Sequence, residues 1–189
     1  MSVDLLRRAT LACALLGCVA FAHAADYVQV AGSTLQFTAS YQGDPVPGRF
    51  PGFATTLRFD PQHLADARLD VTIPLATATT GNEEYDPELT GTFFESKRFP
   101  QARYTATRFR ALGGNRYAAD GVLSLHGASK PVTLAFTWTP GARPVLAGKA
   151  TVKRLDFGVG TGDWQATDLV PNDVAITTRV VFAPGQKRS

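Results

Sequence analysis

Val132-Thr133-Leu134-Ala135-Phe136-Thr137-Trp138 sets large apolar residues against small or polar ones with a period of two. Successive side chains of a strand point to opposite faces, so Val132, Leu134, Phe136 and Trp138 share one face of a half-buried strand. The same period runs outward in both directions. Upstream it returns in Leu35, Phe37, Ala39, Tyr41, then in Phe53, Thr55, Leu57, Phe59, and again in Leu69, Val71, Ile73, Leu75. Tyr104 and Ala106 carry a weaker copy, and Tyr117, Ala119, Gly121, Leu123, Leu125 a clear one. Downstream come Ala150 and Val152, and then Val174, Ile176, Thr178, Val180, Phe182.

Turn residues separate these runs: Gly43-Asp44-Pro45, Asp60-Pro61, Gly113-Gly114-Asn115, Gly127 to Pro131, Pro140-Gly141 and Pro171-Asn172-Asp173. Gly113-Gly114-Asn115 suits a tight hairpin. Many strands at short spacing predict an antiparallel sandwich or barrel. A sheet of about eight strands hides both edges fully only by closing on itself, so the expected fold is all-β, an antiparallel barrel of about eight strands. One segment departs from the pattern. Asp86-Pro87-Glu88-Leu89 reads as a helix start, with Asp86 as N-cap and Pro87 at the first helical position, and the short helix is expected to end near Phe94 or Glu95. A second helical turn is expected near Gln62 to Ala65.

The first two dozen residues differ from the rest. Arg7 and Arg8 form a basic head, Ala9 to Phe21 is almost wholly apolar, and Ala22-His23-Ala24 is a small-x-small cleavage site. That order reads as a secretory signal peptide over residues 1–24, too short in its apolar run to span a bilayer. Leu15-Leu16-Gly17-Cys18 offers a rival, a lipoprotein site acylating Cys18, with a poor residue at its second position. Cleavage after Ala24 leaves one expected domain, residues 25–189, with neither Cys13 nor Cys18, and so with no disulfide, thiol nucleophile or thiolate ligand. About 165 residues suffice for a core that buries roughly 70 % of the unfolded surface. Of 19 Lys and Arg and 16 Asp and Glu, cleavage removes Arg7, Arg8 and Asp4 and leaves 17 against 15. That balance does not suggest nucleic acid as a partner. No further apolar stretch approaches membrane-spanning length, and the tail Gly185 to Ser189 is polar.

Few residues invite catalysis. Glu83, Glu84, Asp86 and Glu88 form an acidic group better read as a solvated loop at a helix N-terminus than as an acid–base pair. Gly158-Val159-Gly160-Thr161-Gly162 lacks the helix that a phosphate loop needs, and reads as a wide turn. Arg154 and Asp156 beside it are expected to pair across strands or to meet a polar group at the rim. His63 and His126 are not at metal-ligand spacing, and there is no Gly-x-Ser-x-Gly elbow. Trp138 and Trp164 could stack on sugars; Trp138, in an alternating strand, is expected in the core instead, and Trp164, in a loop, is open to either reading.

Several blocks in order then resemble the YceI-like family of bacterial periplasmic proteins, from roughly Tyr27 to Phe182. They are Ser33-Thr34-Leu35-Gln36-Phe37 with Gly48-Arg49-Phe50 and Gly52-Phe53; Thr80-Gly81-Asn82 with Asp86 and Leu89; and Phe93-Phe94 with Phe99-Pro100. Gly121-Val122-Leu123-Ser124-Leu125-His126-Gly127 with Lys130-Pro131-Val132 follows, and then Arg154-Leu155-Asp156-Phe157-Gly158-Val159-Gly160 with Trp164. His126 departs from the basic residue that many members carry before the Gly. The resemblance implies an extended lipocalin-like barrel in the periplasm, whose tunnel holds a polyisoprenoid such as a quinone tail or prenyl chain; it does not imply catalysis, and neither enzyme activity nor a cofactor is expected.

Alternation alone does not decide between a filled core and a cavity. Large rings interleaved with Ala39, Thr55, Ala106, Ala119, Gly121 and Ala150 suit an elongated cavity. Expected to line it are Leu35, Phe37, Phe50, Phe53, Leu57 and Phe59 in the first part of the chain. Val71, Ile73, Phe93, Phe94 and Phe99 follow, then Leu123, Leu125, Phe136, Trp138 and Phe157. The insert Gly81 to Pro100 is expected to cover its mouth. The alternative is a solid-cored envelope stress or interaction module acting through its surface. Whether two copies form a homodimer stays open.

Overall fold

The computed structural model describes residues 25–185; the expected leader, with Cys13 and Cys18, and the last four residues lie outside the described residues. Ten strand segments follow one another. They are β1 (Ala25–Gln29), β2 (Thr34–Tyr41), β3 (Asp44–Arg49), β4 (Ala54–Phe59), β5 (Arg68–Pro74), β6 (Gln101–Gly113), β7 (Arg116–Leu125), β8 (Ala128–Thr139), β9 (Val145–Lys153) and β10 (Asp173–Pro184). All pair antiparallel in one sheet, ordered β1-β4-β5-β6-β7-β8-β9-β10-β2-β3 and closed by β1 against β10.

Two strands are broken. β10 pairs with β2 through Ala175–Arg179 and with β1 through Phe182–Pro184, so β1 and β2 are two halves of one barrel strand. β3 and β4 are likewise halves of the next, interrupted at residues 50–53. The ten segments therefore build an eight-stranded closed antiparallel barrel, as the alternation predicts.

The turns show why some punctuation misleads. Gly114-Asn115 makes the expected hairpin, closed by the Gly113–Arg116 pair. The Gly43-Asp44-Pro45 turn is in fact Gln42-Gly43, with φ of 52° and 92°, and Asp44 already belongs to β3. The stretch Gly127 to Pro131 is not a turn throughout: His126-Gly127 turn, and Pro131 stands in β8 opposite Val122. Proline is tolerated there because β9 pairs with β8 only from Ala135 onward, so the missing N–H breaks no β9 ladder bond.

The insert also differs in detail. Helix α1 covers Tyr85–Glu88, with Glu84 before it, so Asp86 is not the N-cap. Asn82 starts the turn instead: its side chain accepts from Glu84 N–H at 2.8 Å and its carbonyl from Asp86 N–H at 3.0 Å. The helix then widens over Leu89–Phe93, where Phe94 N–H reaches the Leu89 carbonyl five residues back. A short turn at Leu64–Asp66 lies close to the second expected helical site.

One end of the barrel is packed solid. Tyr27, Phe59, Phe109, Tyr117, Phe136, Trp138 and Phe182 meet there. Phe59 is the hub, with ring centroids 5.1 Å from Tyr117, 5.1 Å from Trp138, 5.7 Å from Phe136 and 5.9 Å from Phe109. Their tilted and edge-to-face geometry is the favoured one for aromatic pairs. Leu57, Ala106 and Ala119, each almost fully buried, add to this solid core.

Candidate functional site

Away from the plug the inward side chains do not meet, and a cavity of about 340 Å³ remains. That lies in the range of small-molecule sites. Its wall is almost wholly apolar. Ten of the residues expected on it are there: Leu35 and Phe37 from β2, Phe50 and Phe53 from the β3–β4 break, Val71 and Ile73 from β5, Phe93 and Phe94 from the insert, Leu123 and Leu125 from β7.

Six are not. Leu57, Phe59, Phe136 and Trp138 belong to the plugged end, because rings from β1, β4, β6, β7, β8 and β10 fall at one level and fill it. Phe99 lies off the wall with its ring 4.4 Å from that of His126, and Phe157 is buried in the turn Arg154–Phe157 that follows β9. The sequence reading also missed residues. Leu69, Leu75, Leu134, Leu146, Val174, Ile176 and Val180 line the cavity, and most lie in the alternating runs. Their place in those runs marks them in the sequence as plainly as it marks the aromatic rings. Val159 and Val170 come from the loop after β9, where no periodicity marks them.

The mouth lies between three segments: the β2–β3 turn with Tyr41 and Val46, the insert with Tyr85, Glu88 and Leu89, and the loop after β9 with Trp164. The Trp164 ring sits 6.0 Å from Tyr41 and 5.2 Å from Phe93, so it is a rim residue. Tyr85 is 43 % exposed. Residues 40–48, 80–96 and 158–170, which form this rim, hold Asp44, Glu83, Glu84, Asp86, Glu88, Glu95, Asp163 and Asp168, and no Lys, Arg or His. With Arg49 beside Asp86 and Arg98 paired to Glu95, the rim is net negative, while the rest of the barrel carries the chain's positive excess.

Arg154 shapes one side of the mouth. It pairs with no carboxylate, contrary to one reading of Arg154 and Asp156. Only 3 % exposed, its guanidinium donates to the carbonyls of Pro171, Val159, Gly160, Trp164 and Val170 at 2.6–3.2 Å. All five of its N–H donors are used, so none is left for a ligand. Burial pushes this group below its ordinary pKa. Its role is to gather the loop that carries Val159, Trp164 and Val170.

Two further groups fix the wall. The Tyr104 hydroxyl lies 2.7 Å from the Ala119 carbonyl and 3.1 Å from that of Val132, and donates to them; burial raises its pKa well above the ordinary phenol value. Asp86 turns back to accept hydrogen bonds from the Thr79 hydroxyl, the Thr80 hydroxyl and the Thr80 N–H. Burial works to raise its pKa, but those bonds and nearby Arg49 hold it below the usual carboxylate value. His126, its side chain 10 % exposed, has Nε2 3.2 Å from Glu95 Oε1 without a hydrogen bond, and it is the contact of its ring with Phe99 that packs the end of the insert on the β7–β8 turn. His63 pairs with Asp60 beyond the plug. Among the described residues no group of three or more His, Cys, Asp or Glu is placed to hold a metal ion.

Fold and site together define a class: an antiparallel barrel plugged at one end, which encloses an apolar cavity under a helical insert. The chain belongs to the YceI-like domain family, which it matches over residues 27–182. It is 31 % identical to the "UPF0312 protein" of Shewanella denitrificans over 149 residues, covering 72 % of this chain and 78 % of that one. The structure resembles that of Burkholderia cenocepacia BcnA, with a TM-score of 0.78 and 31 % identity, covering 82 % of this chain and 98 % of that one. A polyisoprenoid binding domain from Saccharophagus degradans, implicated in plant cell wall breakdown, shares the fold at a TM-score of 0.67 and 15 % identity, covering 86 % and 100 %. No helix among the described residues is long and apolar enough to cross a membrane.

Proposed function

We propose that this protein carries or stores a long apolar lipid of the isoprenoid class, a prenyl chain or quinone tail, in the barrel cavity and does no chemistry on it. The observation that carries this reading is the apolar cavity above the plug. The polyisoprenoid-binding activity named for the Saccharophagus domain of the same fold supports it. Export to the periplasm, through a leader cleaved after Ala24, belongs to the same proposal.

Magnitudes favour recognition of the chain over recognition of a head group. Each buried methylene contributes about 0.8 kcal/mol, so a five-carbon prenyl unit contributes roughly 3–4 kcal/mol. Three or four such units give on the order of 10 kcal/mol, against several kcal/mol of ordering and association costs. Useful affinity then needs no polar anchor, and affinity rises with chain length. The hollow upper half speaks against the solid-cored alternative.

The test is lipid extraction and mass analysis of protein purified from its own host, with titration of prenols of ten, fifteen and twenty carbons. A co-purified isoprenoid and affinity that climbs with length are expected. Lipid-free protein that binds no prenol overturns the reading.

A further inference from the structure

We propose that the barrel wall opens sideways along one seam, between β3 and the segment after β5, and that a long chain is laid in through this slit instead of being threaded end-on through the mouth. The inference rests on the carrier reading and concerns the route into the same cavity.

Apart from the stretch where β8 before Ala135 packs against the turn Arg154–Phe157 instead of pairing with β9, the wall elsewhere is laddered. β2 pairs with β3 at six positions, β5 with β6 at six, and β4 with β5 at five. The other edge of β3 has one bridge, Arg49 to Thr79. It consists of Arg49 N–H to the Thr79 carbonyl at 2.8 Å and Thr79 N–H to the Arg49 carbonyl at 3.0 Å. Pro45 and Pro47 on β3 lack the N–H that a longer ladder needs. Across the slit the Phe50 and Phe94 rings meet with centroids 5.8 Å apart, an apolar contact free to slide.

The cavity lies directly behind this seam. Val46 and Phe50 line it from one lip, and Leu75, Thr80, Leu89 and Phe94 from the other. Both lips are built to move as units. The strand breaks at residues 30–33 and 50–53 separate the β2–β3 panel from β1 and β4 below it, leaving the panel laddered to β10 alone. On the opposite lip, the Asp86 carboxylate locks Thr79 and Thr80 to α1. Opening therefore breaks the two Arg49–Thr79 backbone bonds, the Phe50–Phe94 ring contact and the attraction between Arg49 and Asp86, and strains the Gln42 N–H bond to the Leu169 carbonyl, but leaves every ladder intact. End-on entry would instead draw each prenyl unit in turn past the carboxylate rim.

The test locks the seam. Antiparallel neighbours that exchange both backbone bonds have Cα atoms about 5.5 Å apart, within the span of a disulfide. Arg49→Cys with Thr79→Cys is made in a Cys13→Ser, Cys18→Ser background, which leaves no other thiol. Stopped-flow uptake and release of geranylgeraniol and of geraniol are measured in the oxidised and reduced forms of this one protein. Oxidation is expected to slow both uptake and release of the twenty-carbon chain at least tenfold, with Kd unchanged and recovery on reduction. The ten-carbon chain, short enough for the mouth, changes less than twofold. Asp86→Asn, which frees the far lip, is expected to speed both steps several-fold. Equal geranylgeraniol rates in the oxidised and reduced forms overturn the seam and leave the carrier reading standing, as does an Asp86→Asn protein that exchanges no faster. Failure of the unmodified protein to bind either prenol overturns both.

Discussion

Replacing Arg154 by Met tests how the mouth is held. Methionine keeps much of the stem and removes the charge, so five carbonyl oxygens lose their donor at once: Pro171, Val159, Gly160, Trp164 and Val170. A buried acceptor left unpaired costs about 1–3 kcal/mol. Five at the upper figure would exceed the stability of an ordinary domain, so the loop over residues 158–171 lets go first and its carbonyls turn to water. With about two of the five acceptors still buried and unpaired, the loss is on the order of 3–5 kcal/mol. For a domain of this size that lowers Tm by roughly 6–20 °C. Urea unfolding followed by tryptophan fluorescence gives the total, and amide exchange over residues 158–171 locates it. Val159, Trp164 and Val170 leave the cavity wall with the loop, so prenol affinity falls as well. Arg154→Lys, with three donors on a point charge, is expected to lose about half as much. A Met variant that loses less than about 1 kcal/mol, with loop exchange unchanged, refutes the reasoning.

Phe59→Ala removes the hub of the plug and is expected to cost about 3–5 kcal/mol in urea unfolding; the space it leaves extends the cavity downward, so the preferred prenol becomes longer. The acidic rim predicts that a geranylgeranyl chain ending in phosphate binds more weakly than the alcohol, by about tenfold at 0.15 M salt and by more at 10 mM, where screening recedes; titration at the two salt concentrations checks both. Asp120 accepts from Arg110 and Thr133, and these bonds hold its pKa at about 2. A lowered folded-state pKa stabilises the protein above the ordinary value near 3.8, and that contribution disappears as pH falls from there through 2. Asp120→Asn is expected to flatten that part of the acid-unfolding curve, read by fluorescence between pH 5 and 2.

The barrel was legible in the sequence because its signal is local and repeated. A period of two in Leu35 to Tyr41 or Val132 to Trp138 needs no tertiary knowledge to assign a face, and the assigned faces do point inward. Depth along the barrel was not legible. Leu57 and Phe59 follow Phe53 and Thr55 in one alternating run, yet a few residues of rise separate open wall from solid plug. Which level a residue reaches depends on strand tilt and on how neighbouring strands are staggered, neither of which is written in one strand. Arg154 is hidden for a related reason: nothing local says that carbonyls five to seventeen residues away converge on it. The breaks in the first two barrel strands left a trace in Ala31-Gly32 and Pro51-Gly52, but the single bridge from Arg49 to Thr79 left none.

The seven-ring plug makes the barrel a cul-de-sac. On the carrier function proposed above, cargo could not be pushed out at the far end by new cargo arriving, so whatever fills the vessel and whatever empties it would have to come to the same side, one after the other. Delivery would then be a sequence of visits and not a relay through the molecule, and a donor that lingered at the opening would be, for as long as it stayed, an inhibitor of release.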